Sequence, residues 1–279
     1  MATRTPENVV GVVGSPISQS LSPILHGAAF EAMGLNWLSQ AYEIHSGDGR
    51  EVLRLMQEDG VLGLSVTMPL KEEMVQLVDR LGDEAQKIGS VNCLVKQEGG
   101  IFGTTTDGPG LLAALERSTD RTIQGSMVAI AGSGGAARSV AASFAAAGAR
   151  EVCVVARSAH RSAVIASIAG MVGRVGKADD ARTADFVVNT TPIGMKGTKS
   201  EGERPLIGAE LLNANQVVVD LIYSPRETPW LQAARDQGAV AIGGLGMLVH
   251  QAALAIELWT GLSAPVEEMW SAAEGAVAS

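Results

Sequence analysis

The sequence predicts an α/β protein built in two units, with helices closing the chain. Three observations carry that expectation. Short β-branched runs alternate with helical patterns along most of the 279 residues, the rhythm of a largely parallel sheet with helices packed on it. The alternation stops at a polar stretch, 118–126, and then restarts. After Leu245 only helical patterns remain. With 46% hydrophobic residues, a chain of this length can bury the core that one large or two ordinary domains need.

Taken in order, "VVGVV" reads as the first strand, and the helix from Pro23 to Met33 follows, with Ser22 expected at the cap and Pro23 at the first helical position. "WLSQAYEI" is a strand, "REVLRLMQ" a helix, "VLGLSVT" a strand and "KEEMVQLVDRL" a helix. In "VNCLVKQEGGIFGT" two strand-like runs flank "QEGG", so a hairpin interrupts the parallel rhythm. The helix "GPGLLAALERS" leads to the polar stretch. The second unit alternates "SMVAIA", an alanine-rich helix, "EVCVVA", "DFVVNTTP", "QVVVDLIY", the helix "TPWLQAARDQG" and "AVAIGG". The closing helices, "GMLVHQAALAIELWTG" and "PVEEMWSAAEGAVA", need an apolar face to cover, and the first unit offers one. The expected boundaries are therefore 1–106 completed by 245–279 for the first unit, and 107–244 for the second.

Composition excludes several classes of function. Thirty acids against twenty-one bases give a net charge of -9 with no basic cluster, so nucleic acid is not an expected partner. Cys93 and Cys153 lie inside strand-like runs without a disulfide framework, which implies a reducing compartment. The N-terminal apolar run is only about five residues, too short for a signal core, and no later stretch approaches a membrane span. A cytoplasmic protein without a membrane partner is expected. His26, His45, His160 and His250 show no metal-ligand spacing, and no G-x-S-x-G elbow occurs.

The restart of the alternation carries the clearest motif. "VAIAGSGGAARS" places Gly132, Gly134 and Ala137 in a G-x-G-x-x-A pattern directly after a strand and at the opening of a helix. In a Rossmann-like dinucleotide site such glycines let backbone amides approach the pyrophosphate at a helix N-terminus. Gly132, Ser133, Gly134, Gly135 and Ala136 are the candidate contacts. A glycine-rich turn that merely packs tightly is the competing reading. The next strand ends without the Asp or Glu that would accept the ribose 2′-hydroxyl of NAD. It supplies Arg157, Ser158 and Arg161 instead, which suits the 2′-phosphate of NADP unless these are ordinary surface charges.

Elsewhere polar residues stand where strands end. Thr67 and Lys71 follow one strand, Asn92 precedes another, and Asp107 lies at the join between the units. A lysine beside a carboxylate can exchange the proton that a carbonyl gains on reduction. Spacing alone does not bring Lys71 to Asp107, and on residue type alone Lys71 reads as a solvated charge at the start of "KEEMVQLVDRL". The loop "GSPISQSLSP" adds four serines and no charge.

The motifs "GSPISQSLSP", "SVTMPLK", "IGSVN", "TTDGPG", "GSGGAA", "NTTPIGM", "DLIYSPRETP" and "GLGMLVHQAA" occur in the order found in the shikimate dehydrogenase family, which this sequence resembles from residue 10 almost to its end. The resemblance implies reversible NADP-linked interconversion of shikimate and 3-dehydroshikimate, the path to chorismate and the aromatic amino acids. It implies that Ser20 and Ser22 bind the substrate carboxylate, that Thr67, Asn92, Asp107 and Gln251 hold ring hydroxyls, and that Tyr223 is a further contact. Lys71 is implied as the acid/base, with Asp107 fixing it. Leu221, Gly244 and Met247 match positions at the nicotinamide end. Ser65, Cys93, Thr105 and Ala156 depart from the family's commonest residues. Two readings stay open beside this one, a paralogue oxidising quinate or an amino-shikimate with NAD or NADP, and a catalytically silent nucleotide sensor on the same fold. The resemblance allows either a monomer or a homodimer.

Overall fold

The β-branched runs form two six-stranded sheets in the computed structural model, which describes residues 6–278. Positions 1–5 of the N-terminal stretch, read above for a targeting signal, lie outside the described residues. The chain divides into two compact units, with boundaries between Gly110 and Leu111 and between Met247 and Leu248.

In the first unit β1 (Asn8–Gly14) pairs in parallel with β2 (Trp37–Glu43) and β3 (Val61–Val66). β4 (Arg80–Leu81) is short, and β5 (Cys93–Gln97) and β6 (Gly100–Thr104) form the expected antiparallel hairpin. The order is β2-β1-β3-β5-β6-β4, with β5 antiparallel to β3. Helices α1 (Ser22–Ala32), α2 (Gly49–Gln57) and α3 (Asp83–Ile88) connect them, and α4 (Asp107–Ser118) leads out. Val52 and Met56 of α2 pack with Val13, Leu64, Val66 and Leu94 in one core cluster. Two closing helices, α8 (Leu245–Thr260) and α9 (Val266–Ala278), follow the second sheet, and α9 packs on α1.

The second unit is fully parallel. Its strands are β7 (Met127–Ala131), β8 (Glu151–Val155), β9 (Gly173–Val175), β10 (Phe186–Asn189), β11 (Val217–Asp220) and β12 (Val240–Gly243). Their order, β12-β11-β10-β7-β8-β9, is the doubly wound arrangement, whose crevice opens where the winding reverses between β7 and β10. Helices α5 (Gly135–Ala146), α6 (Ala159–Ile168) and α7 (Pro229–Asp236) serve the crossovers.

Two expectations are corrected. "KEEMVQLVDRL" is not an α-helix; it makes turns, one 3-10 turn at Met74–Gln76, and β4. The side chains there have work a helix would not allow. Glu73 accepts from Gly47 N (3.1 Å) and Gly49 N (2.9 Å), closing the start of α2, and Asp79 accepts from Ile101 N (2.7 Å), so the chain joins the edge of β6. Ser22 is not the cap of α1. Leu21 holds that position, Ser22 begins the helix, and the Ser20 hydroxyl accepts from Ser22 N at 3.3 Å.

On the α1 side of the first sheet His26 is wholly buried, with Nδ1 2.8 Å from Ser39 Oγ and its ring edge-on to Trp259 at 5.1 Å. Burial pushes its pKa from 6.5 down to about 3. Because the folded value lies below the unfolded one, the stability it contributes is complete above pH 6.5 and falls as the pH drops towards 3. Urea unfolding at pH 7.5 and pH 5 is expected to differ by about 2 kcal/mol from this group. A loss equally large in His26→Leu would refute the assignment.

Candidate active site

The strand directions of the first unit gather its polar loops. Since β1 and β3 run parallel and β5 and β6 alternate against them, the ends of β1, β3 and β6 and the start of β5 share one edge. Backbone bonds tie these loops together: Thr67 N to Val13 O (2.9 Å), Ser15 N to Met68 O (2.9 Å), Val91 N to Lys71 O (2.9 Å) and Asn92 N to Thr104 O (3.0 Å).

This closes the 36-residue gap that spacing could not, and Lys71 Nζ donates directly to Asp107 Oδ2. The side chains are 16% and 5% exposed, so the pair is shielded from water. An ammonium has three donors, and Asp107 engages one. The others remain for a substrate oxygen.

Asn92 organises the carboxylate. Its Nδ2 donates to Asp107 Oδ1 (2.8 Å), to Thr106 Oγ1 (3.0 Å) and to Gln251 Oε1 (3.2 Å), while its Oδ1 accepts from Thr106 N (2.6 Å). Gln251 reaches this point because α8 crosses α4 at Gly110, where a Cβ would stand 2.7 Å from Gln251 N. Any larger residue would push the helices apart. Thr67 is half-buried directly after β3.

The serines divide. Ser22 is buried at the start of α1, whose first amides favour an anion, and Ser20 accepts from its amide. Ser15 donates to Glu43 Oε1 at 3.0 Å and Ser18 is exposed. Among the departures from the family pattern, Ser65 and Cys93 are partners in the β3/β5 register. The Ser65 hydroxyl is buried without a hydrogen-bond partner, and burial pushes the Cys93 thiol up to about 12, so it is no nucleophile.

In the second unit the Gly132 turn lies at the β7/β10 reversal. Gly132 has φ +133°, and a Cβ there would meet Thr190 Oγ1 at 2.1 Å. Around Gly134 the same construction finds open space. The first amides of α5, from Gly135 and Ala136 onward, have no acceptor within the helix and follow Ser133 and Gly134. The turn therefore fits a pyrophosphate. Arg157 and Arg161 are exposed at the end of β8 and the start of α6. Arg157 Nη1 lies 3.8 Å from Glu203 Oε2, a loose surface pair that a better anion can replace. Ser158 caps α6, its hydroxyl accepting from Arg161 N at 3.4 Å. Leu221 and Gly244 are brought together, since a Cβ on Gly244 would stand 2.2 Å from Leu221 O, and Met247 is buried one turn into α8. Tyr223 lies three residues beyond β11 in this same unit.

Sequence reasoning passed over Thr106, which holds Asn92, and the buried set Asn189, Asp220 and Thr228. A signal existed for two of them. The apolar runs "FVVN" and "VVVD" each end on a residue that can only be buried with a partner.

The family model described as the shikimate dehydrogenase substrate binding domain matches residues 12–94, and that of the shikimate 5′-dehydrogenase C-terminal domain matches 244–274. A shikimate dehydrogenase (NADP(+)) from Methanopyrus kandleri is 39% identical over 272 residues, covering 94% of this chain and 93% of that one. A crystal structure of a shikimate dehydrogenase with NADP+ superposes with a TM-score of 0.89 at 34% identity, over 97% of this chain and 96% of that one. The shikimate 5-dehydrogenase of Thermus thermophilus in complex with shikimate gives 0.86 at 33%, over 98% and 100%.

Proposed function

This chain belongs to the shikimate dehydrogenase family, and from that membership we propose that Lys71 and Asp107 carry the reversible NADPH-linked reduction of 3-dehydroshikimate to shikimate. The observation that supports this most directly is the shielded Lys71–Asp107 pair with Asn92 and Gln251 against it.

NADPH, when bound, supplies the hydride. Everything else falls to the protein. Lys71 donates a proton from Nζ to the carbonyl oxygen as it becomes a hydroxyl, and takes it back in the oxidative direction. Asp107, held by Asn92, keeps the ammonium at one place and offers its own oxygens to a ring hydroxyl. Thr67, Asn92 and Gln251 present further donors and acceptors, which suits a polyhydroxylated ring. Ser20 and Ser22 at the start of α1 receive the acid's carboxylate. Gly132, Ser133, Gly134, Gly135 and Ala136 carry the pyrophosphate, while Leu221, Gly244 and Met247 line the nicotinamide end. Cys93 and Cys153 are both free and buried, in keeping with a reducing cytoplasm.

Purified protein assayed by nicotinamide absorbance, crossing shikimate and quinate with NADP and NAD, tests the reading. Rapid reduction is expected only for shikimate with NADP. No turnover of shikimate at saturation would overturn it, and faster quinate oxidation with NAD would make the protein the paralogue. The arginines at the end of β8, where the sequence has no Asp or Glu to accept a ribose 2′-hydroxyl, are the basis for NADP. Arg157→Ala is therefore expected to lower the NADP-over-NAD ratio of kcat/KM by roughly 10- to 100-fold, the worth of a charge-assisted contact. An unchanged ratio would show that Arg157 does not read the 2′-phosphate.

A further inference from the structure

Asn189 and Asp220 close β10 and β11 and are direct partners in the parallel register. Asp220 is wholly buried, and each group set against its carboxylate is a neutral donor. Asn189 Nδ2 (3.0 Å) and Ile222 N (3.3 Å) reach Oδ1, and Thr228 Oγ1 (2.6 Å) reaches Oδ2. Among the described residues no cation pairs with it. Burial pushes its pKa up while the three donors oppose the rise. A carboxylate is a costly residue for such a place, and one retained there needs a reason.

The donors come from the end of β10 and from the two ends of the connection between β11 and α7, at the crevice edge of the sheet. Asn189 Oδ1 also accepts from Thr191 N (3.0 Å) and Thr191 Oγ1 (2.7 Å), which fixes the turn after β10. Ile222 N belongs to the turn after β11. Thr228 Oγ1 accepts from Leu231 N at 3.1 Å while donating to Asp220, so the start of α7 is anchored to the same carboxylate. Leu221 is caught between these bonds, its own amide donating to Asn189 O (3.0 Å), and Gly244 N donates to Ile222 O (3.0 Å).

We infer that Asp220 is a positioning residue for the cofactor, its carboxylate holding Leu221 and Gly244 at the nicotinamide end through Asn189, Ile222 and Thr228. The inference rests on the reading of Leu221 and Gly244 given above. Asp220→Asn removes the acceptor that the geometry needs, because donors approach both oxygens and one of them must then face an NH2 group.

The test compares whole NADPH with 2′,5′-ADP, which has the adenine and 2′-phosphate but no nicotinamide. In Asp220→Asn the Kd for NADPH is expected to rise about tenfold or more, with that for 2′,5′-ADP within about twofold of wild type and the KM for shikimate unchanged. Thr228→Val is expected to move NADPH binding the same way by less, and Thr228→Ser to restore it. Unchanged NADPH binding in both Asp220→Asn and Thr228→Val, or equal loss for the two ligands, would overturn the inference. If 2′,5′-ADP binds wild-type protein while bound NADPH shows no change in nicotinamide fluorescence, the reading of Leu221 and Gly244 fails first. The inference then falls with it.

Discussion

Lys71→Ala is expected to lower kcat for shikimate oxidation by about 100- to 10,000-fold, the range for removing a positioned acid/base. Calorimetry with shikimate should show affinity kept within about tenfold, because Thr67, Asn92 and Gln251 are untouched. The variant leaves Asp107 shielded without its cation, which costs stability, so circular dichroism and the unfolding midpoint must be followed alongside. Lys71→Met fills the same volume and separates lost chemistry from lost packing. A kcat within tenfold of wild type in either variant would remove Lys71 from the mechanism.

Gly132→Ala has the second largest expected effect, and it acts in the other unit. Two costs coincide at this residue. The backbone at φ +133° is one that L side chains avoid, and the new methyl would meet Thr190 Oγ1, which cannot swing aside freely because it donates to Ala131 O at 2.8 Å. Together these are worth on the order of 3 kcal/mol, or roughly 100-fold in NADPH affinity if the turn distorts to relieve them. Gly134→Ala is the informative contrast. Its Cβ meets nothing in the free protein, so the unfolding midpoint should stay near wild type, and any loss of NADPH binding reports the approach of the ligand itself. NADPH affinity within about threefold of wild type in Gly132→Ala would sink the assignment of this turn to the pyrophosphate.

Residues with a local cause were the legible ones. The turn at Gly132 could be read because strand, glycines and helix are contiguous, and the β5/β6 hairpin because "QEGG" lies between two apolar runs. The segment 71–81 misled for a physical reason. Its apolar spacing suits a helix, but Glu73 and Asp79 bond to Gly49 and Ile101, groups more than twenty residues away whose demand no local pattern records. Helix α6 escaped notice because its cap, Ser158, lies between the two arginines read as a phosphate site. Ser22 was displaced from the cap by a single residue, since Leu21 supplies the first helical carbonyl and Ser20 the hydroxyl. The Lys71–Asp107 contact needed the sheet itself, as only the reversal at β5 and β6 returns the chain to the end of β3. Asp220 is hard to read for a related reason, since Ile222 and Thr228 are its neighbours in one connection but Asn189 comes from β10, 31 residues away.

The bond from Asn92 to Gln251 spans 159 residues of chain, and that from Trp259 to Leu94 spans 165. During synthesis the second unit, continuous in sequence, leaves the ribosome whole, while the first waits for α8 and α9. Bringing such distant segments together is the slow, entropically opposed part of folding. The dinucleotide fold therefore has time to form before Gln251 can reach Asn92. A chain cut or stalled in α8 ahead of Gln251 is expected to hold the nucleotide cradle while Asn92 still lacks this partner, so that the substrate side of the site is completed only with α8.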